Sequence, residues 1–219
     1  MLHIQTFTFN PFQENTYVIH TPDGECIIVD PGMSNTAEEN SLATYISEHN
    51  LRPVRLLLTH AHIDHILGNE FVHRKYHLLP EMHEAEISVL ERAPQSAQLF
   101  GISYSDSPKP DNLLKEGDTF SIGGYQFGVL FVPGHAPGHL AFYCAELSVV
   151  ISGDVLFEGS VGRVDLPGCN AADLLNSIQK KMYALPEDTQ VLPGHGAPTT
   201  IGAEKRSNYF VRENDQNLI

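Results

Sequence analysis

Side chains that can ligate a metal are concentrated in one short stretch of this chain. Four of the six positions from 60 to 65 carry them, as His60, His62, Asp64 and His65. His60 and His62 are two residues apart, so in an extended backbone their side chains point to the same side. Asp64 and His65 follow where the chain turns into the next helix, and they can face a second position. Imidazole and carboxylate groups together suit Zn²⁺, Mn²⁺ or Fe²⁺.

Three later segments share one pattern, in which a predicted strand is followed by a glycine and then by a metal-ligand residue. These ligands are His135, Asp154 and His195. Glycine at the preceding position lets the backbone turn sharply and approach a neighbour closely. All seven ligands together are too many for one tetrahedral ion, but they suit two ions that share one carboxylate. The sequence therefore predicts two divalent metal ions, with Zn²⁺ as the first choice and Fe or Mn as the alternatives.

The segments that must position these ligands alternate between strand and helix patterns. Predicted strands cover residues 2–9, 15–20, 25–29, 54–58, 117–121, 124–132, 140–144, 148–152 and 190–193. Predicted helices cover residues 36–49, 69–76, 82–99, 171–184 and 201–213, with the longest loop over 101–113. Because the strands come in two blocks, each followed by helices, we expect two β-layers covered by helices on the outside. This is a four-layer α/β arrangement.

Length, charge and cysteine content limit the classes of function. A chain of 219 residues suits a single domain over 1–219. The net charge of −14, from 27 acidic and 13 basic residues, argues against a nucleic-acid partner and against an anionic membrane surface. The three cysteines are widely spaced, the start lacks a signal-peptide pattern, and no apolar run approaches the roughly 20 residues of a membrane span. We therefore expect a cytoplasmic protein that is a monomer or a homodimer.

The ligand pattern resembles that of the metallo-β-lactamase superfamily of metallohydrolases. The resemblance rests on the HxHxDH pattern and on the three later glycine–ligand pairs, which occur in the order typical of that family. It implies an αββα sandwich with the metals at one edge of the two sheets. It assigns metal 1 to His60, His62 and His135, metal 2 to Asp64, His65 and His195, and the bridging position to Asp154.

Further segments are similar to the hydroxyacylglutathione hydrolases, or glyoxalase II enzymes, and to their short bacterial relatives. These segments are NPFQENTY at 10–17, PGHAPGH at 133–139, SGDVLF at 152–157 and GRVDLPG at 162–168. The similarity implies a small acyl thioester substrate such as S-lactoylglutathione. It would be attacked by a hydroxide that bridges the two metals, with Asp64 as the catalytic residue that orients this hydroxide. A thiolate leaving group can depart without a protonating acid, which suits a site whose titratable groups are metal ligands.

The residues that would contact the substrate follow the family pattern only in part. Arg163 stands where glyoxalase II enzymes place a basic glutathione contact, whereas Asp165 replaces a tyrosine of that pattern. Arg163 could instead form a structural ion pair with Asp165. The aromatic candidates for the mouth of the substrate site are Phe12, Tyr104 and Phe157.

Several alternatives use the same ligands. A lactone hydrolase or a β-lactam hydrolase would need the same site, although the true β-lactamases carry Cys or Ser where this chain has Asp154. A mono-iron persulfide dioxygenase would hold Fe²⁺ with His60, His135 and Asp154. Nucleic-acid hydrolysis is disfavoured by the net charge of −14. A metal-binding scaffold without turnover is the non-enzymatic alternative, but structural metal sites are normally closed and four-coordinate, so the ligand set favours an enzyme.

Overall fold

A computed structural model of the protein describes residues 1–211, which form two compact units. The first unit contains Met1–Leu114 and Ser121–Tyr125, and the second contains Lys115–Phe120 and residues 126–211. Each of the two six-stranded sheets is accompanied by helices, which confirms the predicted α/β class. Within residues 1–211, no helix combines the length and the hydropathy that crossing a bilayer requires.

The first unit is built on a mixed sheet with the strand order β1-β2-β3-β4-β5-β6. Its strands are β1 (His3–Phe9), β2 (Glu14–His20), β3 (Glu25–Val29), β4 (Arg52–Leu57), β5 (Pro80–Met82) and β6 (Asn112–Leu113). Its helices are α1 (Thr36–Glu48), α2 (Ile63–Ile66), α3 (Asn69–Tyr76), α4 (Ile87–Leu90) and α5 (Ala93–Phe100). Because β3, β4 and β5 run parallel, their carboxyl ends meet at the same edge of the sheet. The HxHxDH segment begins just after β4, at this edge.

Apolar side chains hold the helices of the first unit against one face of its sheet. Val18, Ile28 and Leu56 from three neighbouring strands belong to one fully buried cluster with Leu42 of α1 and Val72 of α3. Burying each such side chain contributes roughly 1.5–3 kcal/mol. This core fixes the strand ends from which the predicted metal ligands of this unit project.

Helix α1 begins where the sequence predicts it. The side-chain oxygen of Asn35 accepts the backbone N–H groups of Ala37 at 3.0 Å and Glu38 at 3.1 Å. These are two of the four N–H groups that have no partner within the helix itself. Asn35 therefore caps α1, and the predicted helix over 36–49 is confirmed to within one residue.

The second unit contains the strands that precede the other three predicted ligands. The other six-stranded sheet has the order β14-β13-β10-β9-β8-β7, and a separate two-stranded sheet pairs β11 with β12. The strands are β7 (Thr119–Ile122), β8 (Tyr125–Phe131), β9 (Leu140–Cys144), β10 (Val149–Gly153), β11 (Leu156–Phe157), β12 (Ser160–Val161), β13 (Gln190–Pro193) and β14 (Thr199–Thr200). The helices are α6 (Ala171–Ser177), which continues through a wider π turn at Ile178–Met182, and α7 (Ile201–Ser207). Because β10 and β13 are parallel, Asp154 and His195 leave the sheet at the same edge.

The prediction of one continuous helix over residues 82–99 in the first unit is wrong. Residues 82–99 were expected to be helical, but Met82 completes β5 and a 3₁₀ turn follows at Glu84–Glu86. Helix α5 then starts at Ala93, with Pro94 in its first turn. Proline lacks an N–H group and fits the first turn of a helix better than its interior, so it separates α4 from α5.

The last predicted helix, over 201–213, ends earlier than expected. Helix α7 stops at Ser207, because the side-chain oxygen of Asn208 accepts the N–H groups of Phe210 at 2.9 Å and Val211 at 3.1 Å. Such an asparagine turn offers the backbone an alternative to the next helical turn. Residues 212 and 213 lie outside the described part of the chain.

Candidate metal centre

The first unit brings together the four predicted ligands of the HxHxDH segment. His60 follows β4, His62 directly precedes α2, and Asp64 and His65 lie in α2. The His60 ring lies 4.7 Å from the His62 ring and 4.1 Å from the His65 ring, measured between centroids. Asp64 Oδ2 lies 3.8 Å from His65 Nε2. The extended backbone at His62 and the short helix after it thus gather four donor groups in a small volume.

A buried aspartate supports two of these histidines, although the sequence analysis did not single it out. Asp30 follows β3, and its Oδ2 accepts a hydrogen bond of 2.6 Å from Thr59 Oγ1 and lies 3.2 Å from His65 Nδ1. Thr59 Oγ1 in turn lies 3.0 Å from His60 Nδ1. Donor atoms of Asp30, His60 and His65 all lie within 4.8 Å of one another. Contacts at Nδ1 orient each imidazole so that Nε2 is the nitrogen available to a metal.

A buried glutamate fixes the backbone between the first two histidines. Glu86 is fully buried, and its Oε2 accepts the backbone N–H of Ala61 at 2.7 Å. Ala61 lies between His60 and His62, which must be in extended backbone if their side chains are to face the same side. Glu86 therefore helps to hold the geometry that the two-residue spacing requires.

The second unit contains the other three predicted ligands, and two histidines among them flank the carboxylate of the third. Asp154 Oδ2 lies 3.5 Å from Nε2 of His135 and 3.5 Å from Nε2 of His195. The glycine turns predicted before two of these ligands are confirmed, since φ is 136° at Gly134 and 48° at Gly153. A carboxylate flanked by two imidazole nitrogens is a donor set that suits a divalent cation such as Zn²⁺, Fe²⁺ or Mn²⁺.

Neighbouring groups hold His135 and Asp154 in place. His135 Nδ1 lies 2.9 Å from the carbonyl oxygen of Arg163, which again leaves Nε2 directed at the carboxylate. The carbonyl oxygen of His135 accepts a hydrogen bond of 2.8 Å from the Cys169 thiol. The backbone N–H of Asp154 donates to Nε2 of the buried His139 at 3.1 Å. Cys169 thus contributes to the structure around the predicted ligand His135.

The predicted substrate contacts have different surroundings. The Arg163 guanidinium forms two hydrogen bonds with the exposed Asp165 carboxylate, as the structural alternative in the sequence analysis expects. The Phe157 ring lies 6.2 Å from the ring of His195, edge to face. The other two aromatic candidates, Phe12 and Tyr104, have partners of a different kind. The Phe12 ring contacts that of Phe100 at 5.4 Å, and Tyr104 Oη accepts the backbone N–H of Ser107 at 2.9 Å.

The charge balance of the first unit favours bound cations. Glu14 and Asp30 are buried carboxyl groups beside the buried His65 ring. Burial raises the pKa of the Glu14 carboxyl well above its ordinary value, because the charged form loses its hydration, and nearby His65 opposes that rise. Burying several polar groups without compensation costs several kcal/mol, which a divalent cation would offset. The donors of this unit therefore fit a divalent metal ion.

Comparison with known proteins identifies the family. The family model described as the metallo-beta-lactamase superfamily matches residues 9–195. This chain belongs to that superfamily. It is 36% identical over 214 residues to "Hydroxyacylglutathione hydrolase GloC" of Haemophilus influenzae, a match that covers 96% of this chain and 98% of that protein. The superfamily is one of metal-dependent hydrolases, so the predicted enzyme class is confirmed at that level.

Solved structures confirm the predicted metallo-β-lactamase-type fold. The crystal structure of the BLEG-1 B3 metallo-beta-lactamase matches with a TM-score of 0.87 and 37% identity, over 95% of this chain and 99% of that one. The crystal structure of TTHA1623 in a di-iron-bound form matches with a TM-score of 0.85 and 39% identity, over 94% of this chain and 100% of that one. One of these proteins of the same fold is a metallo-beta-lactamase, and the other binds two iron ions.

Proposed function

We propose that this protein is a binuclear metal-dependent hydrolase of a small acyl thioester such as S-lactoylglutathione. The observation that carries the proposal is the position of Asp154, whose Oδ2 lies at the same distance of 3.5 Å from His135 Nε2 and His195 Nε2. Such a carboxylate oxygen is suited to two ions, each also held by one of those imidazoles. The proposed ligand set, taken from the family resemblance, is His60, His62 and His135 for metal 1 and Asp64, His65 and His195 for metal 2, with Asp154 between them.

The residues of this chain would orient the attacking water and supply the charged groups that hold the metal ions. Two bound divalent ions, with Zn²⁺ preferred over Fe or Mn, would provide a nucleophile at neutral pH and polarise the acyl carbonyl. The side chain of Asp64 is 16% exposed, so solvent reaches it, and we propose that its carboxylate orients the attacking water. Asp30 and Thr59 keep the His65 and His60 rings directed toward their ligand positions. A departing thiolate needs no proton, so the reaction requires no further acid.

The choice of substrate rests on the relatives and on composition. GloC, the matched relative of nearly equal length, is named a hydroxyacylglutathione hydrolase. The net charge of −14 favours a small-molecule substrate over nucleic acid. β-Lactam hydrolysis is the second candidate, because a B3 metallo-beta-lactamase shares 37% identity and a TM-score of 0.87 with this chain. An amide leaving group needs a proton, so this second reaction fits the site less well.

The deciding experiment combines turnover with metal analysis on the same sample of purified protein. We expect a kcat/KM for S-lactoylglutathione of about 10⁴–10⁸ M⁻¹s⁻¹, with two metal ions per chain. Negligible turnover with two ions bound would exclude glutathione as the thiol carrier. A β-lactam or a lactone turned over in its place would identify the alternative substrate. A single iron per chain, with oxygen consumed when a persulfide is supplied, would support the dioxygenase instead.

A matched pair of variants separates an enzyme from a metal-binding scaffold. We expect Asp64→Ala to lower kcat by about 100-fold or more, since metal activation is worth several kcal/mol. Asp111→Ala removes an exposed carboxylate of the same unit and should leave the rate unchanged. Equal rates in the two variants would contradict the proposed role of Asp64.

A further inference from the structure

The turn between β1 and β2 contains a buried asparagine whose amide joins two distant segments. Asn10 is 8% exposed, and its Nδ2 donates to the carbonyl oxygens of Gly32 at 2.9 Å and Asp64 at 3.0 Å. An amide nitrogen carries two protons, so each carbonyl receives one. The Oδ1 atom accepts the N–H of Phe12 at 2.9 Å, which fixes the end of the amide that bears the nitrogen.

The backbone of Asn10 is also held in place by a hydrogen bond, and it adopts an unusual conformation. Its φ of 52° lies in the left-handed region, which asparagine tolerates better than most residues. Its N–H donates to Glu38 Oε1 of α1 at 3.0 Å. The turn therefore cannot shift without breaking contacts to α1, to the loop after β3 and to α2.

The loop that Asn10 contacts is itself fixed from both sides. The N–H of Gly32 donates to Thr16 Oγ1 at 2.9 Å, and this hydroxyl donates to Oε2 of the buried Glu14 at 2.9 Å. A Cβ atom at Gly32 would lie 2.7 Å from the Asp64 carbonyl oxygen and 2.8 Å from Asn10 Nδ2. Only glycine fits at position 32. The loop therefore holds the Asn10 amide firmly against the Asp64 carbonyl oxygen.

We propose that Asn10 is a positioning residue for metal 2. The carbonyl that it holds belongs to Asp64, and His65 is the next residue of the four-residue helix α2. Rotation of this peptide would displace both metal-2 ligands of the first unit. The metal-1 ligands of the same unit have other supports, through Thr59 and Glu86. The inference rests on the proposed binuclear function, and it predicts that the loss of Asn10 affects the two ions unequally.

Zinc titration of the metal-free full chain tests this asymmetry. Asn10→Gly keeps the left-handed backbone accessible and removes the amide, and Asn10→Asp keeps the acceptor for Phe12 but removes both donors. We expect either variant to bind metal 2 about 10–100-fold more weakly, with metal 1 unchanged, because contacts behind metal ligands contribute that much to affinity. The control is Thr8→Ala, since this hydroxyl of the same hairpin donates to Asn15 at 3.1 Å. Wild-type affinity for both ions, or equal weakening of both, would overturn the inference.

Hydrogen exchange on the metal-free protein gives a second readout that does not depend on the metals. We expect the amides of residues 62–68 to exchange faster in both Asn10 variants than in the wild type or in Thr8→Ala. Unchanged exchange in that segment would show that Asn10 does not hold α2. A wild-type protein that binds one ion would contradict the binuclear proposal, and the exchange measurement would still decide the role of Asn10.

Discussion

The guanidinium of Arg163 holds the carboxylate of Asp165 through hydrogen bonds of 2.6 Å from Nε and 2.8 Å from Nη2. The side chains are 56% and 68% exposed, and the Arg163 guanidinium lowers the pKa of Asp165 to about 2. The carbonyl of Arg163 also contacts the predicted ligand His135. The Arg163 guanidinium, which stands where glyoxalase II enzymes place a basic glutathione contact, is therefore already bound by a carboxylate of the same chain.

We expect Asp165→Asn to improve the use of an anionic thioester, because it frees the guanidinium of Arg163. The gain in kcat/KM for S-lactoylglutathione should reach about fivefold at most, since solvent screens an ion pair this exposed and leaves it weak. It should appear mainly in KM and shrink with added salt. Because the lowered pKa keeps Asp165 ionised until the pH falls to about 2, the gain should be constant across the neutral range.

The control for this prediction changes the same charge elsewhere in the second unit. Asp173→Asn alters an exposed carboxylate in the first turn of α6 and should leave kcat/KM unchanged for S-lactoylglutathione and for an uncharged thioester. An uncharged thioester should gain nothing from Asp165→Asn. An equal gain in kcat/KM for the charged and the uncharged thioester would show that the Arg163–Asp165 pair does not limit the use of anionic substrates.

Removal of the metals should destabilise the protein as well as inactivate it. The buried Asp30, His60 and His65 of the first unit are held together more favourably when a cation offsets their desolvation. A ligand at 100 times its dissociation constant stabilises the native state by about 2.7 kcal/mol. Calorimetry before and after chelation should therefore show a lower Tm for the metal-free protein. Zn²⁺ should restore Tm and activity, whereas Mg²⁺, which prefers oxygen ligands, should not; an unchanged Tm and rate after chelation would contradict metal dependence.

The sequence predicted the donors of this site better than their supports, for a physical reason. His60, His62, Asp64 and His65 are neighbours in the chain, so their spacing is visible directly. Asp30 meets His65 across 35 positions, through the parallel pairing of β3 with β4, and no local periodicity records that contact. A polar residue at the end of a buried strand is the signal that could have revealed it.

Glu86 and Asn10 were missed because their local surroundings suggest something else. Within the helix predicted over 82–99, a glutamate is expected to face solvent, yet Glu86 is fully buried on a 3₁₀ turn. Asn10 follows a strand and would be expected simply to form a turn. Its contacts to Gly32 and Asp64 depend on tertiary structure.

Glu86→Ala should lower the free energy of unfolding through the backbone between His60 and His62. The N–H of Ala61 would lose its acceptor at 2.7 Å, and a buried donor left without a partner costs about 1–3 kcal/mol. Urea unfolding of the metal-free protein measures this loss. Glu84→Ala, on the same turn but exposed, should change stability by less than about 0.5 kcal/mol. Similar losses in the two variants would mean that the Ala61 contact is not the cause.

Gly162→Ala should reduce activity through steric overlap behind two predicted ligands. A Cβ atom at Gly162 would overlap the carbonyl oxygen of Asp154 and lie 3.0 Å from His135 Nδ1, so the backbone must move. A displacement of about 1 Å in a catalytic group can cost about 100-fold in rate, and we expect a loss of roughly that size with less metal bound. Gly128→Ala is the matched control in the same unit, because its Cβ would meet only the Tyr143 carbonyl oxygen, at 3.9 Å. Steady-state kinetics and metal content of both variants test the idea, and a wild-type rate in Gly162→Ala would show that this backbone does not constrain Asp154 and His135.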